Sequence, residues 1–195
     1  MSISNDLIKH LRELSGSSIS LCKKVLEETG GDIEKAMTLL RKSSEALAAK
    51  KSERATKAGL IESYVHSNKR IGVLLELRCE TDFVARNPEF QALAHDLALH
   101  IAGTGSMYIS KESVPKEAKA EAERLFLEEA QQLSKSPEMT QKIVVGKLEA
   151  HFRDVSLMSQ PFVKDVAITV EELIKSKIAH FGENITVEKF IRFDI

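Results

Sequence analysis

Apolar positions in the first 42 residues recur at helical spacing and predict three short helices. The first predicted helix begins at Ser4 and ends at Gly16. Ser17 or Ser18 can cap the second, which ends at Gly30-Gly31, and Asp32 can cap the third. Residues 1–42 are therefore predicted to form a three-helix module. The residues expected to face its core are Leu7, Ile8, Leu11, Leu14, Ile19, Cys22, Val25, Leu26, Ile33, Ala36, Met37 and Leu40.

Residues 43–58 change in composition to alanine, lysine, glutamate and serine, with almost no large apolar side chain. High helix propensity without a face to bury predicts a solvent-exposed helical linker. The plain interpretation of its lysines is a solvated surface, and the sharper one is contact with a partner. Gly59 then opens a core domain over residues 59–195.

Two runs rich in aliphatic and β-branched residues, Leu60–His66 and Ile71–Leu77, are joined by four polar residues and predict an antiparallel hairpin. A third run, Ile185–Phe193, has only this hairpin to pair with. We therefore expect an α+β fold in which a three-stranded antiparallel sheet packs with helices.

The chain between these strands carries apolar stripes at helical spacing, so helices are predicted from about Pro88, Pro115, Thr140 and Thr169. The segment after Gln160-Pro161-Phe162 is predicted to be a loop. The predicted inward residues of the first three helices are Phe90, Leu93, Ala94, Leu97, Ala98, Ile101, Ala118, Ala122, Leu125, Phe126, Ala130, Ile143, Val144, Leu148 and Phe152.

Composition narrows the possible partners. The 195 residues carry a formal net charge of -1, so no global field attracts nucleic acid or an anionic membrane. No apolar stretch approaches the roughly 18 residues that span a bilayer, and the N-terminus lacks the pattern of a secretory leader. Cys22 and Cys79 lie far apart outside any Cys-x-x-Cys pattern, which favours reduced thiols in a cytoplasmic protein.

Motifs for covalent chemistry are missing from the sequence. There is no Gly-x-x-x-x-Gly-Lys-Ser/Thr loop, and Gly103–Ser106 follows a predicted helix, where it reads as a helix stop. The six histidines include no pair at i, i+4, and no Gly-x-Ser-x-Gly elbow occurs. We therefore expect no catalytic residues, no metal site and no cofactor.

The junction Cys79–Asn87 connects the second predicted strand to a helix that Asn87 and Pro88 begin. Within it, charged Asp82 stands beside apolar Phe83. Two interpretations remain open from spacing alone. Phe83 can tuck under the following helix with Asp82 as its cap, or both residues can be presented to a partner by a loop that is fixed at both ends.

The same junction, Thr81-Asp82-Phe83-Val84-Ala85, resembles the signature of the elongation factor Ts family. Three further regions resemble that family in the right order: Leu21–Leu26 with Gly30–Ile33, then Gln160–Lys164, and finally Phe190–Phe193. The resemblance implies a guanine-nucleotide exchange factor for elongation factor Tu, without covalent chemistry or a cofactor of its own. It also implies that the N-terminal three helices are of the ubiquitin-associated type, and that the core is of the dimerisation-domain type.

By this resemblance, Thr81, Asp82, Phe83 and Val84 form the nucleotide-exchange loop, which is inserted beside the magnesium site of the GTPase. The resemblance also implies secondary contacts, for which the plain alternatives are solvated lysines, a surface histidine and local packing. These secondary residues are Lys23, Lys51, His100, Phe162 and Val163.

Longer members of the family contain two related core halves, whereas this sequence has one, so we expect a homodimer joined through the exposed face of the sheet. The alternatives to an exchange factor are a non-catalytic binding module or chaperone of a GTPase, and an RNA- or ribosome-associated protein. The near-neutral charge counts against direct binding of nucleic acid.

Overall fold

The computed structural model describes residues 3–133 and 136–195, and within them it confirms the predicted α+β class. The helices are α1 (Asn5–Ser15), α2 (Ile19–Glu28), α3 (Ile33–Lys51), α4 (Asp82–Ala85), α5 (Pro88–Thr104), α6 (Lys116–Leu133), α7 (Pro137–Val155) and α8 (Val170–Phe181). The strands are β1 (Ala58–Val65), β2 (Ile71–Cys79), β3 (Pro161–Phe162), β4 (Asp165–Thr169) and β5 (Ile185–Asp194), and a short 3-10 turn covers Leu157–Ser159.

Strands β1, β2 and β5 form a three-stranded antiparallel sheet in the order β1-β2-β5, which confirms the predicted hairpin and the pairing of the last run. The prediction of a plain loop after Gln160 is wrong. Strands β3 and β4 form a second, two-stranded antiparallel ribbon in which Pro161 pairs with Thr169 and Phe162 with Asp165. A two-residue strand is too short to show alternation, so the sequence pattern could not reveal it.

The N-terminal helices begin and end at the predicted signals. The side-chain oxygens of Ser4, Ser18 and Asp32 each accept a hydrogen bond from the backbone N–H three residues on, at 3.2, 3.3 and 3.0 Å. Gly16 ends α1 with φ 63°. The three helices enclose a core of Ile8, Leu11, Cys22, Val25, Leu26, Ala36 and Leu40.

Two residues predicted for this core lie outside it. Leu14 and Ile19 are 54% and 58% exposed, because they stand at the end of α1 and the start of α2, beyond the region where the helices meet.

The linker prediction also needs correction. Helix α3 runs without a break to Lys51. The segment is not wholly exposed as predicted, because Ser44 and Ala48 on one face of the helix are buried.

The chain divides into two compact units, which we describe separately. The first contains Met1–Ser63, Leu75–Asp96 and Glu171–Lys189. In it, the rings of Phe90 and Phe181 meet edge to face with centroids 6.1 Å apart.

The second unit contains Tyr64–Leu74, Leu97–Val170 and Phe190–Ile195. In it α6 and α7 pack as a pair, and Leu125, which was predicted to be buried there, is 45% exposed.

We expect Leu97→Ala to lower the free energy of unfolding by about 2–5 kcal/mol, because Leu97 on α5 is fully buried and its loss leaves a cavity. Urea unfolding followed by circular dichroism measures this change. Leu125→Ala is the matched control, with an expected cost of about 1 kcal/mol or less, since that side chain is half exposed. Equal losses in the two variants would contradict the assignment of Leu97 to the core.

Candidate partner-binding site

Helix α4 is a single turn of four residues that presents two side chains and buries two. Thr81 is its N-cap, and the hydroxyl of Thr81 accepts the N–H of Val84 at 3.5 Å. Val84 and Ala85 are buried. Phe83 is 83% exposed, and the side chain of Asp82 beside it is 79% exposed. The turn is thus anchored through one face and offers an anion and a phenyl ring on the other.

This geometry excludes the first of the two interpretations left open by the sequence. Phe83 does not tuck under the following helix, and Asp82 is not a helix cap. Thr81 caps α4, and Asn87 accepts the N–H of Glu89 with its Oδ1 at 2.8 Å where α5 begins. The guanidinium of Arg86 lies 3.9 Å from the Asp82 carboxylate, in a pair exposed on both sides. Such an exposed pair binds weakly, so Asp82 remains available.

A carboxylate from far along the chain holds the entrance to this turn. Glu183 Oε2 accepts the backbone N–H groups of Glu80 at 3.1 Å and Thr81 at 3.0 Å, and its Oε1 accepts the hydroxyl of Thr81 at 2.6 Å. Sequence reasoning missed Glu183. It lies about 100 residues from the motif, and no local pattern distinguishes it from other surface glutamates.

Glu80 completes a reciprocal link between the same two segments. Its Oε1 accepts the backbone N–H of Asn184 at 2.7 Å, and Arg54 approaches its Oε2 at 3.5 Å. The side-chain amide of Asn184 donates to the carbonyl of Arg54 at 2.9 Å.

Burial, with a smaller contribution from the Glu183 carboxylate, raises the pKa of the adjacent Cys79 thiol to about 11. Cys79 is therefore a protonated, unreactive part of the support.

The two predicted lysines have different surroundings. Lys23 lies on α2 and approaches Glu27 one turn on at 3.9 Å, with both side chains mostly exposed. The ammonium of Lys51 donates to the carbonyl of Gly182, next to Glu183. Lys51 is therefore tied to the segment that supports α4.

His100 was open to interpretation as a surface histidine, and that alternative is wrong, because the residue is fully buried. Its Nδ1 accepts the backbone N–H of Val163 at 3.2 Å, so the ring proton is on Nε2, which donates to Gln160 Oε1 at 2.8 Å. Burial lowers the pKa of His100, against a smaller opposing effect of the Gln160 hydrogen bond. The ring of Phe162 lies 5.9 Å from it. His100 is a neutral support for the β3–β4 ribbon.

Gln160 is the second polar residue of this support, and its role could not be read from sequence. Its Oε1 also accepts the hydroxyl of Ser106 at 2.7 Å, and its amide nitrogen donates to the carbonyl of Asp154. Of the residues predicted here, Phe162 is buried and Val163 is partly exposed. Val163 of the ribbon therefore points outward. Phe162 of the ribbon and His100 of α5 are buried.

Across residues 3–133 and 136–195 no group of three or more histidine, cysteine or acidic side chains is arranged to hold a metal ion. None of the helices in those ranges is both long and apolar enough to cross a membrane.

Comparison with known proteins gives matches along the chain. The sequence model of one family, described as Elongation factor TS, matches residues 2–195. An elongation factor Ts of Synechococcus sp. (strain JA-3-3Ab) is 49% identical over 195 residues, which cover 99% of this chain and 69% of that protein. The elongation factors Ts of Thermodesulfovibrio yellowstonii and Thermotoga petrophila are 46% and 49% identical over 195 residues, which cover all of this chain and 97% of each relative.

We expect His100 to make the stability of the fold depend on pH. In the unfolded chain it binds a proton below about pH 6.5, whereas in the folded chain burial keeps it neutral to lower pH. The unfolded state then binds more protons, so this contribution is complete above about pH 6.5 and is lost as the pH falls below it, by up to about 1.4 kcal/mol per pH unit.

Urea unfolding of the wild type and of His100→Gln between pH 5 and 8 measures this slope. The slope should be smaller in His100→Gln and unchanged in His10→Gln, which alters an exposed histidine of α1. An equal slope in the wild type and in His100→Gln would exclude His100 as its source.

Proposed function

Because the chain belongs to the elongation factor Ts family, the nucleotide exchange factors of elongation factor Tu in translation elongation, we propose that it releases GDP through Asp82 and Phe83. The observation that carries this proposal is the 83% exposure of Phe83 on a turn whose other face is buried. An isolated apolar ring held in water on a supported turn is suited to enter a partner. The family performs exchange without covalent chemistry of its own and uses no cofactor.

The proposed mechanism acts on the partner's magnesium and nucleotide together. Magnesium demands near-octahedral oxygen coordination and bridges protein groups and nucleotide phosphates, so disturbing a few supports weakens the hold on both. Phe83 acts as an apolar wedge between elements of the GTPase. Asp82 rearranges the polar network around the metal. Thr81 and Val84 belong to the same exchange loop as the cap and the buried anchor of the turn, and the loop need not touch the nucleotide.

Linkage fixes the thermodynamics of this mechanism. The factor binds nucleotide-free elongation factor Tu more tightly than the GDP-bound form, and GDP weakens the factor's binding by the same ratio. Each tenfold change in affinity corresponds to about 1.4 kcal/mol. The factor therefore speeds exchange in both directions, and the ratio of free nucleotides sets the net direction.

A single turn offers too little area to hold a partner, so we propose additional contacts from Lys23, Lys51 and Val163, whose positions support this role to different degrees. Lys23 is largely solvated, Lys51 is partly exposed with its ammonium bound to Gly182, and Val163 is 40% exposed. Buried His100 and Phe162 contribute by fixing the ribbon that carries Val163.

We also propose that residues 1–42 are a ubiquitin-associated type of module that recognises the partner, that 43–58 link it to the core at 59–195, and that the protein works in the cytoplasm. Three capped helices around one small core support the first part. A core of this size is marginal alone, which favours recognition over an independent activity.

A homodimer is the last part of the proposal, and exposed apolar side chains on the three-stranded sheet support it. Val65, Leu74, Ile191 and Phe193 are all among the exposed large apolar residues of β1, β2 and β5. Several exposed apolar side chains on one sheet are typical of a surface that another chain covers. Two copies would supply two sets of contacts to a partner.

We expect Phe83→Ala and Asp82→Ala to slow release of a fluorescent GDP analogue from elongation factor Tu by about tenfold or more, which corresponds to ~1.4 kcal/mol of lost barrier reduction. The measurement is stopped-flow fluorescence at several concentrations of the factor, so that the maximal rate and the apparent affinity are separated. Each change removes a side chain that supports no other part of the fold, so circular dichroism should stay unchanged.

Leu133→Ala is the matched control for Phe83→Ala, because it also removes a highly exposed apolar side chain. It should exchange nucleotide like the wild type. If Phe83→Ala and Asp82→Ala both keep the maximal wild-type rate, the wedge mechanism is refuted and exchange depends on other residues; if the wild type itself leaves GDP release unchanged, a non-catalytic binding role replaces it.

We expect Phe193→Glu to raise the dimer dissociation constant at least about tenfold, since an anion would be buried in an apolar seam. Sedimentation velocity over a concentration series measures this constant. Leu133→Glu is the control and should sediment like the wild type. A wild-type protein that sediments as a monomer throughout the series would refute the dimer.

A further inference from the structure

The direction in which Phe83 points cannot come from α4 itself. A helix of four residues contains one turn, and helix formation at that length is unfavourable in isolation. The orientation of the turn must therefore come from its two flanks. On the C-terminal side Val84 and Ala85 are buried. On the N-terminal side the backbone N–H groups of Glu80 and Thr81 donate hydrogen bonds to the Glu183 carboxylate.

We propose that Glu183 is a positioning residue for nucleotide exchange, which fixes the α4 turn so that Phe83 is presented in one orientation. The inference rests on the proposed role of Phe83. Both carboxylate oxygens are used, Oε2 by two successive backbone N–H groups and Oε1 by the hydroxyl of Thr81. Hydrogen bonds to an ionised acceptor are about twice as strong as neutral ones, and three that converge on one group fix direction as well as distance.

Glu183 is itself held on both sides. Gly182 ends α8 with φ 71°, a left-handed conformation that favours glycine, and its N–H bonds to the carbonyl of Ile178 at 2.9 Å. Lys51 binds the Gly182 carbonyl, and the backbone N–H of Asn184 binds the Glu80 carboxylate at 2.7 Å. The carboxylate therefore extends from a fixed corner, which a positioning group requires.

Removing the carboxylate leaves two backbone N–H groups and one hydroxyl without their acceptor. Water can satisfy them, but water does not fix their direction. Phe83 would then sample more orientations before the partner binds. Binding would have to restrict it to one, at a cost in conformational entropy that is smaller for the wild type. Glu183 thus acts on exchange through Phe83, without touching the partner.

The first test needs no partner and uses the absence of tryptophan from this chain. In Phe83→Trp the single indole reports motion of the turn through time-resolved fluorescence anisotropy. Adding Glu183→Ala should at least double the amplitude of the fast, local decay, and Glu183→Gln should fall between, because the amide keeps one acceptor oxygen. Glu138→Ala, which removes a carboxylate paired with Lys142, is the control and should change nothing. An unchanged fast amplitude in Glu183→Ala would overturn the proposal.

The second test is stopped-flow GDP release from elongation factor Tu. Glu183→Ala should lower the maximal rate about tenfold (~1.4 kcal/mol) and Glu183→Gln less. In a Phe83→Ala background the same change should have no further effect, because the side chain to be oriented is gone. Equal slowing with and without Phe83 would mean that Glu183 acts elsewhere and would refute the positioning role.

Folding and mechanism can be separated in these measurements. Circular dichroism and urea unfolding identify any loss of structure, and if Glu183→Ala is unfolded, Glu183→Gln carries both tests. If Phe83→Ala exchanges nucleotide at the wild-type rate, the proposed role of Phe83 fails, and the anisotropy still decides whether Glu183 orders the turn. If Phe83→Ala is slow and Glu183→Gln matches the wild type in both assays, only the positioning inference fails.

Discussion

A single helical turn has no stability of its own, and the candidate exchange site is built around that constraint. The chain meets it with hydrogen bonds whose partners are remote in sequence. The backbone N–H groups of Glu80 and Thr81 donate to the carboxylate of Glu183, which lies 103 and 102 residues further along the chain. The corner that carries Glu183 is closed by a left-handed glycine and bound by Lys51. The local geometry of α4 is therefore a property of the folded first unit and is absent from an isolated peptide.

The two supports use opposite electrostatic solutions. Beside α4 the acceptor is an ionised, partly solvated carboxylate, which binds strongly and needs no full desolvation. Under the β3–β4 ribbon the supporting groups are a buried neutral imidazole and a carboxamide, His100 and Gln160. A charge at that depth would carry a large desolvation cost, whereas the neutral tautomer satisfies both ring nitrogens. The degree of burial thus decides which chemistry each support employs.

Local signals predicted much of this molecule. Caps at Ser18 and Asp32, the glycine stops, the buried stripe of α5 and the hairpin depend on residues close together in the sequence, so the sequence pattern was sufficient. The motif from Thr81 to Ala85 indicated the candidate site through its resemblance to a family. The features that the sequence could not reveal depend on tertiary structure. They are the hydrogen bonds of Glu183 and Gln160 and the exposure of Leu14, Ile19 and Leu125. An apolar stripe shows which face of a helix is apolar but not how far along the helix a neighbour covers it.

The exposure of Phe83 also has a consequence for selection on this sequence. A ring that is 83% solvated contributes almost nothing to folding, so replacing it leaves the chain as resistant to unfolding and proteolysis as before. Cellular quality control acts on unfolded chains and would pass such a variant. With the role in exchange proposed for Phe83, selection against drift at this position comes from the rate of protein synthesis alone. Core residues such as Leu97 are under the additional selection that acts on folding and abundance.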